Sequence, residues 1–440
     1  MPDIHLAVLI HGLHGNPGNL AQCEIELVKA HQEKRSQSKQ GNGSDLDLQV
    51  FIPSTFPGTL TFDGVELLAI RVADELDKKI ERIGSQGGDV KAITIMGYSL
   101  GGLIARYLIT LLDSRTPSFF ERHEPIHFST IATPNLGMPR YGTKFSTIKH
   151  LVGGHMFSQT GAELFSWDHY SEQDPRSLLE VMSDPTRPFM QTLRKFPKVQ
   201  IIANGCHDLT VSYPTAAITE TDPFDSFETT GIRIKTDENS VVKSWSFPSP
   251  EAEGEGEDET DTLVKTRSGQ KGLRKRPSRP PFLEFRFPFN YLAIPLIPIV
   301  ATFFVISAFI TLTIQRFRSS KRIRRYRSSR NNLAVRISQS VSDGVERAGD
   351  FLQEQVNGDW NGDDFPVRGK AAKLLLTEAQ KTMIRNFNQY LPQLERIVVW
   401  YPYAYNSHAT IVVRDVTRFP SHEDGRGGLK VWAKSIVDAV

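Results

Sequence analysis

The sequence predicts an α/β fold: a mostly parallel sheet with helices on both faces. Two observations carry that expectation. Short apolar runs of buried-strand length alternate with segments whose apolar residues fall at helical spacing, the pattern of a parallel sheet covered on both sides. Two of the runs, Leu6 to Ile10 and Ile93 to Met96, pass through a glycine-rich turn straight into a helix, the repeating unit of such sheets.

In chain order, Leu6 to Ile10 reads as the first strand. His11-Gly12-Leu13-His14-Gly15 then leads to a helix with Asn16 at the N-cap and Pro17 at the first position, where the missing N–H would be unpaired anyway. Gln32 to Asp47, polar and rich in Gly, Ser and Lys, reads as a surface loop before a short strand, Leu48 to Ile52. Asp63 and Glu66 form a capping-box pair ahead of an amphipathic helix, Val65 to Ile83, with capping as their expected role. The strand at Ile93 runs into Gly97-Tyr98-Ser99-Leu100-Gly101, after which Ile104, Leu108, Leu111 and Leu112 keep helical spacing. Further strands fall at Ile126 to Ile131 and Val199 to Ala203.

The composition changes near Arg233. Seven acids lie between Glu251 and Asp261 and seven bases between Lys265 and Arg279, without apolar periodicity, which describes a disordered, charge-polarised linker. An aromatic stretch (Phe282, Phe285, Phe287, Phe289) precedes 24 uncharged residues, Tyr291 to Ile314, and eight bases without an acid follow between Arg316 and Arg330. Asn331 to Val356 reads as an amphipathic helix. Globular signals return with a helix from Thr377 to Phe387, a strand from Arg396 to Trp400 and a terminal helix near Leu429 to Ala439. The expected organisation is an α/β domain split in two, 1–232 and 367–440. Between its parts come a disordered charged linker (233–281), a hydrophobic membrane-associating segment with a basic flank (282–330), and an amphipathic helix and linker (331–366).

With 52 basic and 50 acidic residues the net charge is +2, so nothing draws the whole chain to nucleic acid. Cys23 and Cys206 make no disulfide framework, which suits a reducing compartment. The chain enters an apolar run at once, without a basic leader or small-residue cleavage site, so the expectation is a protein that is not secreted and works on the cytosolic face of a membrane or lipid droplet.

Gly97-Tyr98-Ser99-Leu100-Gly101 between strand and helix mounts a nucleophilic serine, because Gly97 and Gly101 tolerate the crowding of a sharp turn that lifts the Ser99 hydroxyl above the sheet. A serine of ordinary pKa needs an imidazole to take its proton and a carboxylate to orient that imidazole. Proteins that use this elbow supply the three groups in chain order Ser, acid, His. Asp208 closes the late strand from Val199, and His408 follows the last strand through Tyr401 to Ser407, so they are the candidate acid and base. His207 would compete for the acid's own loop, and His422 lies in a Gly-rich charged stretch; Asp174 and Asp184 follow no strand and read as cap or turn residues. For the oxyanion, Leu100 N–H follows the nucleophile, and Leu13 or His14 N–H of the Gly12-containing loop supplies a second donor. The His11 and His14 side chains are expected to fix the loop. No His or Cys has metal-ligand spacing, and the chemistry needs no cofactor.

His-Gly-Leu-His-Gly at 11–15, Thr61-Phe62-Asp63-Gly64, Gly97-Tyr98-Ser99-Leu100-Gly101-Gly102, Ala132-Thr133-Pro134-Asn135-Leu136-Gly137, Asn204 with Asp208-Leu209-Thr210-Val211, and Ser407-His408-Ala409 together resemble the fungal serine esterase and lipase family, which includes yeast lipid-droplet phospholipases and monoacylglycerol lipases. The resemblance covers roughly 4–220 and 370–438. It implies an α/β-hydrolase fold and hydrolysis of acyl-lipid esters, with Ser99 as nucleophile, Asp208 as acid and His408 as base. Asn135 departs from it, since the family pattern usually carries histidine there.

A helix of 24 residues would rise about 36 Å, enough to cross a hydrocarbon core of about 30 Å. Ser99 and Asp208 precede that run and His408 follows it, so a single crossing would strand the base on the wrong side. Pro295 and Pro298 break the run, and arms of about a dozen residues reach about 18 Å, the depth of one leaflet, so a re-entrant hairpin is expected. A lid or hydrophobic wall over the site is the alternative. The functional expectation is a serine lipase acting on acyl lipids at a membrane or lipid-droplet surface. An acyltransferase or thioesterase with the same residues, or a non-enzymatic membrane tether, are the competing readings.

Overall fold

The computed structural model describes residues 2–38, 46–142, 153–154, 157–247, 302–303, 307, 310–326 and 374–440. Its strands, in chain order, are β1 (Asp3–Ile10), β2 (Asp47–Phe51), β3 (Asp89–Tyr98), β4 (Glu124–Ile131), β5 (Arg140–Tyr141), β6 (Lys198–Asn204), β7 (Arg233–Thr236), β8 (Val242–Ser246), β9 (Leu374–Leu375) and β10 (Leu394–Val399). Six of them form one sheet in the order β10-β6-β4-β3-β1-β2, and every neighbouring pair is parallel. The chain after the expected linker thus returns to the same sheet, with Leu394 opposite Val199 and Val399 opposite Asn204.

Alternation along the strands builds two apolar layers. On one face Ala7 and Leu9 of β1 and Met96 and Tyr98 of β3 pack with α1 (Ala21–Ser38) and the C-terminal helix Arg426–Val437, around fully buried Trp432. On the other, Ile4, Leu6, Val8 and Ile10 with Ile93 and Ile95 pack against α2 (Val65–Ser85) and α3 (Leu100–Asp113), joined by Met383, Ile384 and Phe387 of the helix Glu378–Tyr390. Each such side chain contributes about 1.5–3 kcal/mol on leaving water, so β1 and β3, apolar on both faces, are the natural centre of the sheet.

Three expectations are corrected. The polar loop expected from Gln32 does not begin there: α1 continues to Ser38, with Arg35 paired to Asp47 at 2.6 Å. Asp63 does not cap α2. Gly64 is the N-cap, Val65 N–H is taken by Glu163 Oε2 at 2.8 Å, and the buried Asp63 carboxylate is bound instead by Arg71 and Arg322. Glu163 needs no positive partner there because burial pushes its pKa up to about 8. The linker expected from Arg233 starts too early, because β7 and β8 pair antiparallel as a hairpin. That hairpin lies against the outer strand through the Val241–Val399 bridge and a bond from Trp400 N–H to Ser240 O of 2.9 Å, covering part of an otherwise open edge. The charged stretch 251–279, most of the apolar run 291–314 and the helix expected at 331–356 lie outside the described residues. Among the described residues no helix is long and apolar enough to cross a membrane.

The backbone is closely packed at the start of α3, where a Cβ on Gly101 would stand 2.1 Å from Ile10 O and one on Gly97 would stand 2.3 Å from Gly101 O. Both contacts are with backbone, which cannot swing aside. Gly101→Ala should therefore cost about 3 kcal/mol or more of stability, read as a drop in the urea midpoint at unchanged slope.

Candidate active site

β3 delivers Ser99 at the carboxyl edge of the sheet. Its backbone adopts φ 56° and ψ −128°, a left-handed conformation costly for a residue with a Cβ, and its N–H is tied to Ile131 O at 2.8 Å. The strain is held by close packing: a Cβ on Gly12 would stand 2.6 Å from Ser99 Cβ, so the loop after β1 rests directly on the elbow.

β6 ends at Asn204 and delivers Asp208, whose side chain is 3% exposed. Asp208 Oδ1 accepts the N–H groups of Thr210 (2.9 Å) and Val211 (2.8 Å), while Oδ2 accepts Asn204 Nδ2 (2.8 Å) and faces His408 Nδ1 (3.0 Å). Burial alone would raise the carboxyl pKa. The adjacent imidazole and these donors outweigh burial and hold it below the ordinary carboxylate value. An ionised carboxylate only accepts, so His408 Nδ1 carries the proton and Nε2 offers its lone pair. That nitrogen stands 3.1 Å from Ser99 Oγ.

β10 delivers His408 from the far end of the chain, and the surrounding loop is fixed by long-range bonds. Ser407 Oγ donates to Cys206 O (2.6 Å) and Ser407 N–H to His207 O (3.0 Å); Asn406 Oδ1 accepts His408 N–H (3.2 Å) and Leu209 N–H (3.3 Å). Tyr98, the residue before the elbow serine, donates its hydroxyl to His408 O at 2.7 Å, with its ring 5.1 Å from the imidazole. Tyr98 and Asn406 escaped the sequence reading. The only signal for Tyr98 was a polar-tipped aromatic inside an otherwise apolar strand end.

Leu100 begins α3, so its N–H is one of the unpaired donors of a helix N-terminus, beside Ser99. In the loop after β1, His14 N–H is engaged by Thr61 Oγ1 at 3.0 Å and Gly15 N–H by Gly12 O at 3.0 Å. His14 is thereby removed as a backbone donor, which leaves Leu13. The two loop imidazoles are structural in their contacts: buried His11 lies 4.4 Å from the Phe56 ring and His14 meets Phe62 edge-on at 4.8 Å, and burial lowers the pKa of both.

The alternatives lie elsewhere. His207 faces Glu228 at 3.5 Å, and His422 Nδ1 accepts the Asp415 N–H at 3.1 Å. Asp174 is bound by Arg176 and Arg187, and Asp184 is the C-cap of the helix Leu178–Ser183. Buried Asn135, the departure from the family pattern, donates to Thr133 O and Ala216 O and bears on loop structure.

A parallel sheet with its strained serine elbow at the carboxyl edge, and an imidazole and carboxylate delivered from later strands, defines an α/β-hydrolase. A family model described as "Putative serine esterase (DUF676)" matches residues 2–221, and the chain belongs to that family. Ser99 and Asp208 lie inside the match and His408 outside it. "Putative lipase C4A8.10" of Schizosaccharomyces pombe is 32% identical over 216 residues, 49% of this chain and 26% of its own length. "Putative lipase ROG1" of Saccharomyces cerevisiae is 28% identical over 230 residues, 51% of this chain and 30% of its own. The chain thus spans about a third or less of these relatives. Among solved structures, the lin2722 product of Listeria innocua aligns over 50% of this chain and 77% of its own at 16% identity, with a TM-score of 0.27.

Replacing Tyr98 by Phe leaves the buried His408 carbonyl without its donor. The expected result is a loss of about 1–3 kcal/mol in chemical denaturation, with the Ser99 elbow still folded.

Proposed function

We propose that the protein is a serine lipase that hydrolyses carboxylic ester bonds of acyl lipids through an acyl-enzyme on Ser99, at a membrane or lipid-droplet surface. The observation that carries this reading is the continuous relay from Ser99 Oγ to His408 Nε2 (3.1 Å) and from His408 Nδ1 to Asp208 Oδ2 (3.0 Å). In the proposed cycle His408 takes the Ser99 proton as Oγ attacks the ester carbonyl, and Asp208 stabilises the imidazolium. The oxyanion is met by the N–H groups of Leu100 and Leu13. His408 then hands its proton to the departing alkoxide. A water activated by the same imidazole releases the fatty acid and restores Ser99.

Support for an acyl-lipid substrate comes from the serine esterase family and from the lipase names of the relatives. It comes also from the rim, where Leu209 beside Asp208 and Tyr403 and Tyr405 before His408 are exposed. Support for a lipid surface comes from the helix 310–326. One outward stripe carries Ile310, Ile314 and Phe317, then Lys321 and Arg324. An apolar end for acyl chains followed by a basic end for headgroups suits an interface, each base adding about 1 kcal/mol near anionic lipid.

Ser99→Ala should abolish labelling by a fluorophosphonate probe and all ester hydrolysis, while Asp208→Asn should lower kcat by about 10⁴ with the fold retained. Labelling that survives Ser99→Ala removes Ser99 from the role. Ile314→Glu with Phe317→Glu should abolish flotation with anionic vesicles and leave probe labelling intact; undiminished flotation rules out this stripe as the contact.

A further inference from the structure

Asp63 and its partners lie outside the chemistry described above, and they form a buried carboxylate held by two arginines from distant parts of the chain. The Asp63 side chain is fully buried and gathers three groups. Arg71 Nη2 binds Oδ2 at 2.7 Å; Arg322 reaches both oxygens, Nε at 2.9 Å from Oδ2 and Nη2 at 2.7 Å from Oδ1; and Ser319 Oγ donates to Oδ1 at 2.7 Å. Ser319 Oγ also reaches Phe62 O (3.2 Å) and Arg322 Nη2 reaches Thr59 O (3.4 Å). Ser319 and Ile323 are buried, so one face of the helix 310–326 is seated on the hydrolase domain at the turn Gly58–Phe62.

That turn is the outer support of the loop after β1. Gly58 N–H donates to Gly15 O (2.9 Å), Thr61 Oγ1 accepts His14 N–H (3.0 Å) and donates to Gly58 O (2.6 Å), and Phe62 meets the His14 ring. The contacts therefore run unbroken from the helix through Asp63 and the turn to His14, next to Leu13, and through Gly12 to Ser99. We infer that Arg322 and Ser319 are positioning residues: by clamping Asp63 they fix the turn 58–62 and hold the Leu13 N–H where the oxyanion forms. This rests on the assignment of Leu13 as an oxyanion donor. It makes the lipid-facing helix part of the hydrolytic unit, and a simple tether would not be.

A soluble short-chain p-nitrophenyl ester, assayed without any membrane, separates the two roles, because a tether has nothing to do there. In Arg322→Ala, Asp63 keeps Arg71 as its counter-charge, so folding is expected to survive. kcat should fall about tenfold, part of the 10²–10³ lost when an oxyanion donor is removed outright, with KM within twofold and fluorophosphonate labelling of Ser99 slowed in parallel. Arg322→Lys, which restores charge without the bidentate contact, should recover part of the rate, and Ser319→Ala should lose about threefold. A kcat within twofold of the parent protein overturns the inference, as does a fall in kcat with unchanged labelling. If Arg322→Ala loses its melting transition, Ser319→Ala and Arg322→Lys decide by the same criteria. A parent protein that neither hydrolyses esters nor labels at Ser99 refutes the lipase reading itself, a result distinct from an active parent with an indifferent Arg322→Ala.

Discussion

The parallel pairing of β10 with β6 is the constraint on which the site depends. Asp208 leaves the sheet from β6 and His408 from β10, and the register that sets Val399 opposite Asn204 brings two residues 200 positions apart to 3.0 Å. Parallel neighbours send their carboxyl ends to the same edge, so side chains just beyond adjacent strands meet without a special loop. The bonds from Ser407 to Cys206 and His207, and from Asn406 to Leu209, then lock one loop to the other. A slip of one residue in that ladder would turn the β10 side chains to the opposite face and remove the imidazole from the hydroxyl.

Strain and satisfaction are divided across the site. Ser99 holds the costly backbone, and it does so where the sheet is most tightly packed, with Gly97, Gly101 and Gly12 leaving no room for relaxation. Asp208 is the opposite case, a buried carboxylate with a donor for every strong acceptor position, so its charge is retained at little cost. The imidazole lies between them, oriented from one side and free to accept from the other.

Much of this was legible in the sequence because it is local. The apolar run into Gly97-Tyr98-Ser99-Leu100-Gly101 specifies strand, turn and helix within a dozen residues, and Asp208 and His408 each follow a strand that periodicity reveals. What escaped depends on partners far along the chain. Asp63 looks like a helix cap beside Glu66, and only the fold shows Arg322, 259 positions later, on its carboxylate. The α1 extension to Ser38 has a polar second half with no apolar stripe to announce it, and the hairpin from Arg233 is too short and too charged to separate from linker composition. The family match, likewise, stops at residue 221 and does not reach the histidine.

The sheet's outer edge has an evolutionary corollary. Between Ser246, where β8 ends, and Leu374, where β9 begins, the described helix 310–326 is seated on Asp63. Closure entropy grows only logarithmically, about 0.6 kcal/mol for each doubling of an intervening stretch, so the sheet that carries Ser99, Asp208 and His408 tolerates exchange of the chain between Ser246 and Leu374 for one of another length. The Asp63 seat sets one rule for such exchanges: a newcomer must bring a serine and an arginine one helical turn apart, or leave a buried acid short of its partners.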